Sequence, residues 1–438
     1  MMPSTSLLDE SPFVAYSYAY PHKSAYRSFP DAIPLRKLWS QECRDALFLY
    51  LHLPFCESRC GYCNLFTTAR PGDDFVTAYI KTLGIQAQQV RDALGDATFA
   101  QLAIGGGTPT FLDIRQLETV LRIVEQVMGV PPRTIPMSVE ASPGTITQEK
   151  LTLLRQFGID RLSVGVQSFD DRELKLLGRQ QNRADVERAL NQVREAGFPT
   201  LNIDLIYGAG QDMRSWSSSV AEALAYQPEE VYLYPLYVRS LTALASKLHG
   251  INDQRLEAYR AGRDLLLSAG YSQTSLRLFR KTCASKTEVP AYNCQEDGMV
   301  GLGCGARSYT RTLHYSNEYA VKRDNVLSIL EQYVRSDRES FSSVEYGFQL
   351  DEEDQRRRYV IKSLLTGEGL NQEDYKNCFG TNPLTEFPEL SELETMQLVT
   401  TKSDRIRLTP AGLERSDVVG PFLYSEKVRR LMEDCESC

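Results

Sequence analysis

Short apolar runs alternate with amphipathic stretches from about residue 47 to residue 269. The apolar runs at 47–53, 99–104, 135–140, 161–166, 201–207 and 230–235 have the length and composition of buried β-strands. The stretches at 73–94, 114–128, 147–157, 185–196, 216–225 and 255–269 carry apolar residues at helical spacing. Because strands and helices in this order form a parallel sheet with right-handed crossovers, the pattern predicts an α/β fold. We expect a partial (β/α)6 TIM-like barrel over residues 46–310.

The pattern changes on both sides of this predicted barrel. Residues 1–45 form an N-terminal arm rich in aromatic residues, which either covers a substrate cavity with groups such as Tyr20 and His22 or packs along the barrel edge. Residues 311–349 indicate a linker with one helix. Residues 350–438 contain helical stretches at 351–365 and 372–379, a hairpin at 396–408 and a helix from Pro410. That order predicts a small winged-helix-like α+β domain, which we interpret as a lid over the barrel.

Composition narrows the classes of function. The 438 residues carry a net charge of −8 and no basic run, which argues against nucleic acid and an anionic membrane surface as partners. The sequence has no apolar segment of membrane-spanning length and no signal peptide, so we expect a cytoplasmic protein. Ten cysteines in such a chain suit a reducing compartment, where thiols stay available to bind metal.

Three cysteines follow the first predicted strand at a spacing that suits metal binding. Cys56, Cys60 and Cys63 form a C-x3-C-x2-C sequence on one short loop. Thiolates are soft ligands, and three of them on a [4Fe-4S] cluster leave one iron open, as a catalytic cluster requires. The alternatives are a zinc site or three buried thiols, but zinc would need a second Cys or His pair, and none follows soon. We therefore expect an iron–sulfur cluster at these residues.

Glycine and polar residues stand at the ends of later predicted strands. Residues 105–110 read GGGTPT, and glycines let a ligand approach the backbone closely. Glu140, Gln167 and Asp204 end three strands, and Arg179 follows one of them. In a parallel barrel the carboxyl ends of the strands form the ligand-binding face. Each side chain could instead cap a helix or bond a loop amide, but together they predict a shell for hydroxyl, ammonium and carboxylate groups.

The cysteine spacing, with Tyr62 before its last cysteine and GGGTP further on, resembles the radical S-adenosylmethionine (SAM) superfamily. The stretches YLHLPFC, SVEASPGTI, RLSVGVQSFD, LNIDLIYG and GLGCGARSY are similar to its oxygen-independent coproporphyrinogen III oxidase-like (HemN-like) branch. This resemblance implies a radical SAM barrel with a [4Fe-4S] cluster and two SAM molecules in one cavity. It assigns Tyr50, Gly106 and Glu140 to the cluster-bound SAM. The residues that it assigns to the second SAM are Tyr62, Gly107, Thr108, Gln167, Arg179 and Asp204. It also assigns further contacts to Val238 and Arg307, around which the sequence matches the family poorly.

Within this branch, the runs YPHKSAYR and QEDGMVGLGCGARSYT look closest to class C radical SAM methyltransferases and cyclopropanases of natural-product biosynthesis. That resemblance implies carbon transfer from the second SAM to an sp2 carbon of a small-molecule substrate. It also implies an electron donor such as flavodoxin or ferredoxin, and is compatible with a methyltransferase-like partner protein. Tyr20, His22, Tyr237 and Cys304 are the candidates for a base or hydrogen donor, with core packing as the alternative for Cys304.

Two other functions stay open at this point. One is oxidative decarboxylation of porphyrinogen propionates, which needs cations for several carboxylates; the typical enzyme has a further cysteine where this chain has Leu65. The other is a heme chaperone, whose HN-x-x-YW-like motif is matched only in fragments at residues 314–319. The cofactor supplies the radical and does not by itself determine the reaction. We expect methylation or cyclopropanation and keep both alternatives.

Overall fold

The computed structural model describes residues 11–13, 19–210, 212–237, 244, 253–281, 292–318, 320 and 323–436. The strands are β1 (Arg27–Pro34), β2 (Leu47–Leu53), β3 (Phe55–Cys56), β4 (Thr68–Ala69), β5 (Phe99–Gly106), β6 (Met137–Ala141), β7 (Arg161–Gln167), β8 (Thr200–Tyr207), β9 (Glu230–Pro235), β10 (Tyr271–Gln273), β11 (Leu278–Lys281), β12 (Met299–Leu302), β13 (Arg307–Tyr309), β14 (Leu313–Ser316), β15 (Ser343–Gln349), β16 (Leu370–Asn371), β17 (Val399–Lys402) and β18 (Arg405–Leu408).

The α-helices lie between these strands and cover their faces. They are α1 (Leu35–Trp39), α2 (Asp73–Leu94), α3 (Ile114–Arg122), α4 (Gln148–Gln156), α5 (Asp171–Leu176), α6 (Arg183–Glu195), α7 (Met213–Ala225), α8 (Arg255–Ser268), α9 (Arg323–Arg335), α10 (Glu352–Leu364), α11 (Gln372–Phe379), α12 (Pro383–Glu386), α13 (Pro388–Thr395), α14 (Pro410–Leu413), α15 (Ser416–Phe422) and α16 (Glu426–Glu436). The predicted helix at 114–128 is α3 followed by a π-helical turn, Ile123–Val127.

One mixed sheet of 13 strands forms the body of the molecule, in the order β1-β15-β14-β13-β12-β2-β5-β6-β7-β8-β9-β11-β10. The strands from β2 to β9 in that order are parallel neighbours, and β12 joins β2 in parallel on its other side. Helices connect each of these parallel strands to the next. The predicted α/β fold with a parallel, partial barrel is confirmed. Its strand ends lie side by side, which brings residues that are distant in sequence into one site.

Local sequence accounts for the limits of helix α2. Asp73 and Asp74 occupy its first turn, where carboxylates interact favourably with the positive end of the helix dipole. Gly95 follows its last residue with φ +62°, a backbone conformation that glycine adopts readily. Tyr79 and Leu83 point from the helix into the core and are fully buried.

A second hydrophobic core lies in the C-terminal part of the chain. It packs α10 and α13 around a three-stranded sheet of order β16-β18-β17, with Leu364, Leu390 and Ile406 fully buried. Tyr20 and Tyr26 of the N-terminal arm belong to this core as well. The helices and the β17–β18 hairpin occur in the predicted order, so a small C-terminal α+β unit is present beside the large sheet.

The segment predicted as a linker is part of the main sheet. Strands β14 and β15 pair with each other and extend the sheet, while β1 of the arm pairs with β15. The expected helix is α9. Antiparallel strands of three or four residues, such as β13 and β14, carry too few residues for a periodic signal, which is why the pattern did not indicate them. The division at residues 45, 310 and 349 stays a prediction. None of the described helices is long and apolar enough to cross a membrane.

Candidate active site

The three cysteines of the motif lie together at the carboxyl end of β2. Cys56 ends strand β3, and Cys60 and Cys63 share a tight turn in which the Cys63 N–H donates to the Cys60 carbonyl at 3.1 Å. All three thiols are free of disulfide bonds and line one cavity. Thr108 Oγ1 donates to Cys56 Sγ at 3.7 Å, and burial raises the pKa of the Cys56 thiol to about 12. A buried thiol of this kind is stabilised as a thiolate by bound iron, so these residues fit a cluster.

The glycine loop after β5 packs closely under the cysteine loop. Gly106 has φ +111° and donates its N–H to Glu140 Oε2 at 3.1 Å. A Cβ atom at Gly107 would come within 2.5 Å of the Phe55 carbonyl oxygen, and the Gly107 N–H donates to the Leu53 carbonyl at 2.8 Å. Only glycine allows this approach, so the loop backbone lies directly against the strand that carries the cysteines.

Two carboxyl groups lie inside the barrel beside this loop. Asp204 on β8 accepts hydrogen bonds from Ser163 Oγ at 3.2 Å and from Asn202 Nδ2 at 2.7 Å. Desolvation inside the barrel raises the pKa of Asp204 to about 6. Desolvation, together with the neighbouring Asp204, raises the pKa of Glu140 to about 7. A cationic ligand such as an ammonium or sulfonium group would favour both carboxylates.

Gln167 and Arg179 complete this side of the cavity. The β7–β8 register shifts at Gln167, whose φ of +69° lies in the left-handed region. Such strain is tolerated where it aims a side chain into a site. Arg179 Nη2 donates to the Gly165 carbonyl at 2.7 Å and to Gln181 Oε1 at 2.6 Å. Its Nη1 donates to Cys60 Sγ at 3.2 Å, which joins the polar shell to the cysteine loop.

Tyr50 lies on β2, before the cysteine loop, and Tyr62 lies within the loop. Tyr50 OH lies 3.2 Å from His52 Nδ1, and His52 Nε2 lies 2.9 Å from the Phe66 carbonyl, to which it must donate. The Tyr50 hydroxyl therefore donates to Nδ1. Burial raises the pKa of Tyr62 well above its usual range, so its hydroxyl stays protonated.

These residues surround a cavity of about 710 Å³. Of the residues predicted to contact cofactors, it is lined by Tyr50, Tyr62, Gly106, Gly107, Thr108, Glu140, Gln167, Arg179, Asp204 and Arg307, together with the three cysteines. Val238 lies outside the described residues.

The four candidates for a base or hydrogen donor differ in position. Tyr20, His22 and Tyr237 line the cavity, whereas Cys304 is fully buried in the core and does not belong to its wall. Tyr20 OH donates to Asp354 Oδ1 at 2.7 Å, and Tyr237 OH donates to Asp417. Burial raises the pKa of both tyrosines, and these carboxylates hold their hydroxyl protons. Neither tyrosine is positioned as a base. The backbone N–H of Cys304 donates to the hydroxyl of Tyr79 in the core.

The cavity wall also carries a group of cations. Arg307 on β13 belongs to it with Arg358 and Lys362, which are one turn apart on α10. His314 on β14 is 1% exposed and lines the cavity near them. Burial, followed by the positive charges of Arg358 and Arg307, lowers the pKa of Lys362. Of this group only Arg307 was predicted from the sequence; the spacing of Arg358 and Lys362 on one helical face was the available signal.

Comparison with known proteins identifies two domains of the chain. Residues 50–215 match the radical SAM superfamily, and residues 350–414 match the HemN C-terminal domain. The chain therefore contains a radical SAM domain. The two matches together make it similar to HemN-like proteins. The [4Fe-4S] cluster and SAM predicted for this chain are therefore its cofactors. A radical SAM protein also requires an electron donor and a substrate.

Similar proteins cover nearly the whole chain. The heme chaperone HemW of Bacillus subtilis is 28% identical over 85% of this chain and 98% of its own length. The oxygen-independent coproporphyrinogen III oxidase of Paracoccus denitrificans is 27% identical over 84% of both chains. The solved structure of coproporphyrinogen III oxidase (HemN) from Escherichia coli has a TM-score of 0.80 and 21% identity, with 94% of this chain and 97% of that chain covered. This structural likeness shows the fold.

The expected closeness to class C methyltransferases and cyclopropanases is wrong. The similar proteins named above are a heme chaperone and coproporphyrinogen III oxidases, and none is a methyltransferase. The error has a chemical cause, because the motifs that carry the superfamily resemblance belong to cluster and SAM chemistry, which different reactions of the superfamily share, so they do not determine the reaction. The methylation and cyclopropanation hypothesis and its methyltransferase-like partner are withdrawn. The two alternatives, an oxidase and a heme chaperone, replace it.

Proposed function

We propose that this protein catalyses the oxygen-independent oxidative decarboxylation of propionate side chains on a reduced tetrapyrrole. The observation that carries the proposal is that the cysteines of the cluster motif share their cavity with a group of cations. Arg307, Arg358 and Lys362 line the same cavity as Cys56, Cys60 and Cys63. Cationic side chains in the cavity of a radical-generating site suit a substrate with several carboxylates.

The size and the polarity of the cavity agree with such a ligand. Its volume of about 710 Å³ falls within the range of about 300–1,000 Å³ that is typical of ligand pockets. Aromatic side chains of Tyr26, Phe48, Tyr292 and Tyr309 also line the cavity. A tetrapyrrole has apolar ring faces and charged side chains, so these aromatic side chains would contact the rings while the cations bind carboxylates.

The reductively cleaved SAM supplies a radical that takes a hydrogen atom from substrate. In the proposed reaction the hydrogen comes from the propionate carbon next to the ring. The bond to the carboxylate carbon then breaks, CO2 leaves, and one electron passes to a one-electron acceptor, so that a vinyl group remains. Glu140, Asp204 and Arg179 would bind the ammonium, ribose and carboxylate groups of SAM. We extend this proposal to two SAM molecules and to flavodoxin or ferredoxin as electron donor.

The test is anaerobic turnover of the reconstituted protein with coproporphyrinogen III, SAM and a reductant. We expect 5′-deoxyadenosine and a product that is lighter by one CO2 and two hydrogen atoms for each propionate lost. The tetramethyl ester of the same tetrapyrrole is the control, because it keeps the rings and lacks the carboxylates. Formation of 5′-deoxyadenosine without loss of CO2 from the substrate would contradict the proposal.

A heme chaperone is the second candidate. One observation in its favour is the match to HemW, which covers 98% of that protein. The other is Leu65, which is 46% exposed and stands at the position where a typical oxidase has a further cysteine. Anaerobic titration with hemin tests this candidate. Saturable binding of one hemin per chain, with no product from coproporphyrinogen III, would favour it over the oxidase.

A further inference from the structure

The imidazole of His314 has no hydrogen-bond partner among the described residues. Both ring nitrogens, Nδ1 and Nε2, are buried and unpaired, although the side chain lines the cavity. The ring packs on Tyr309, with 4.3 Å between the ring centroids. Buried polar groups in folded proteins are almost always paired, so an unpaired imidazole facing a cavity points to a partner on a ligand.

The surroundings of His314 are positively charged. Arg307 lies on the neighbouring strand, and Arg358 and Lys362 approach from α10. Burial and then the charges of Arg358, Arg307 and Lys362 lower the pKa of His314 well below its usual range. The imidazole is therefore neutral, with one N–H donor and one acceptor nitrogen.

Arg358 is held in place by the backbone. Its Nη1 donates to the Gln295 carbonyl at 2.8 Å, and its Nη2 donates to the Cys294 carbonyl at 2.9 Å. These bonds fix the guanidinium group between helix α10 of the C-terminal unit and the segment that precedes β12. The positive charge thus has a defined position next to His314, and the group around the imidazole is assembled from both cores of the molecule.

We propose that His314 donates a hydrogen bond to a substrate carboxylate in a subsite completed by Arg307, Arg358 and Lys362. This inference rests on the proposed function and names the residue that would recognise one carboxylate of the substrate. A carboxylate offsets the three positive charges and accepts the N–H of the imidazole.

A histidine that lines a cavity can also ligate heme iron. The positive charges around His314 oppose this role. A ferric porphyrin centre bound to His314 would bring one further positive charge next to two guanidinium groups and an ammonium group. A carboxylate at this position reverses the sign of the interaction. We therefore assign His314 to the carboxylate and not to iron.

Equilibrium binding of coproporphyrin III, the stable iron-free tetracarboxylate, tests the inference by fluorescence titration of the cluster-loaded protein. The probe is compared with its tetramethyl ester, and the quantity measured is the ratio of the two affinities. We expect His314→Phe to lower this acid-over-ester ratio at least tenfold. His314→Gln should recover most of it, because an amide can donate and accept as the imidazole does.

A second variant keeps the test decisive if His314→Phe fails to fold. Lys362→Met removes one charge of the subsite from a partly exposed position, and it should lower the same ratio. The matched control is Lys402→Met, which changes an exposed lysine at the end of β17 that does not line the cavity, and it should leave the ratio unchanged. An unchanged ratio in both subsite variants would overturn the inference.

The outcomes separate this inference from the proposed function. If the wild-type protein prefers the acid through His314 but releases no CO2, the decarboxylation proposal fails and the carboxylate subsite stands. If the wild-type protein decarboxylates the substrate and His314→Phe keeps the acid-over-ester ratio, the subsite fails alone. A hemin Soret shift that is lost in His314→Phe, with coproporphyrin III binding unchanged, would identify an iron ligand and overturn the inference.

Discussion

Arg179 donates a hydrogen bond from Nη1 to the Sγ atom of Cys60 at 3.2 Å. The two residues are far apart in sequence, and the contact exists because β7 and the helix after it deliver Arg179 to the loop that carries the cysteines. The guanidinium group also binds Gly165 and Gln181, so its position is fixed from several sides. A cationic donor at a cysteine sulfur is a contact through which a protein tunes an iron–sulfur cluster.

Arg179→Lys tests this contact. Lysine keeps the charge but cannot reproduce the planar fork that reaches Cys60, Gly165 and Gln181 together. We expect the cluster to assemble with normal iron content, its reduction potential to shift, and 5′-deoxyadenosine formation to fall about tenfold or more, as is typical for a lost outer contact of a metal site. Arg172→Lys is the matched control, because Arg172 is largely exposed and pairs with its sequence neighbour Asp170. Equal activities of the two variants would contradict a role for the contact.

Cys60→Ala should remove the cluster and all cleavage of SAM. We expect the three thiolates of the motif to hold the cluster, and loss of one ligand would leave a second iron unprotected. The measurements are the brown visible absorbance after anaerobic reconstitution and the yield of 5′-deoxyadenosine. Cys378→Ala, at an exposed thiol of the C-terminal unit, should retain both. SAM cleavage by Cys60→Ala would refute the assignment of this residue to the cluster.

The positions that could be predicted from the sequence are those whose signal is local or periodic. Cys56, Glu140 and Asp204 stand at or just after strands with clear apolar runs, so their common edge followed from the parallel sheet. His314 and Lys362 could not be found in this way. They lie on a four-residue strand and on a helix of another core, and only tertiary packing brings the two together. The methylation hypothesis was wrong for a related reason, because the motifs of the superfamily belong to cofactor chemistry that its different reactions share and do not determine the substrate.

The stability of the apo-protein should fall as the pH rises from about 4.5 to about 7 because of Glu140. Its pKa of about 7 lies above the value of 4.5 for an unperturbed group, so the folded state keeps a proton that the unfolded state has lost. Stability then decreases with pH between these two values. Glu140→Gln lacks this titration, and its free energy of unfolding in urea should vary less over the window. Asp204 contributes in the same direction and remains in the variant.

Glu149→Gln is the control for this measurement, since it removes an exposed carboxyl group on α4. Parallel pH profiles for the wild-type protein and Glu140→Gln would show that the Glu140 carboxyl group does not titrate in this window. The experiment uses the protein without cluster or SAM, because a bound cation would favour the ionised carboxylate and lower its pKa.

The contact between the two cores depends on a buried ion pair. Arg277 precedes β11 in the main sheet, and its Nη2 donates to Asp417 Oδ2 of α15 at 2.6 Å, with only 9% and 1% of the two side chains exposed. Tyr237 bonds both partners. Asp417→Asn would leave the guanidinium group buried without its counter-charge, and we expect a loss of about 3–5 kcal/mol in the free energy of unfolding. Glu331→Gln, in an exposed pair with Arg335, should cost less than about 0.5 kcal/mol.

A double variant distinguishes an uncompensated charge from a general loss of packing. Arg277→Met combined with Asp417→Leu replaces both charges by apolar groups, so it should lose less stability than Asp417→Asn alone. If the double variant is instead the less stable of the two, packing and not charge accounts for the effect.

Because Tyr237 lines the cavity and donates to Asp417, the single variant Asp417→Asn should also weaken ligand binding at that wall, whereas Glu331→Gln should not. An ion pair that only joined the two units would change stability and leave binding intact.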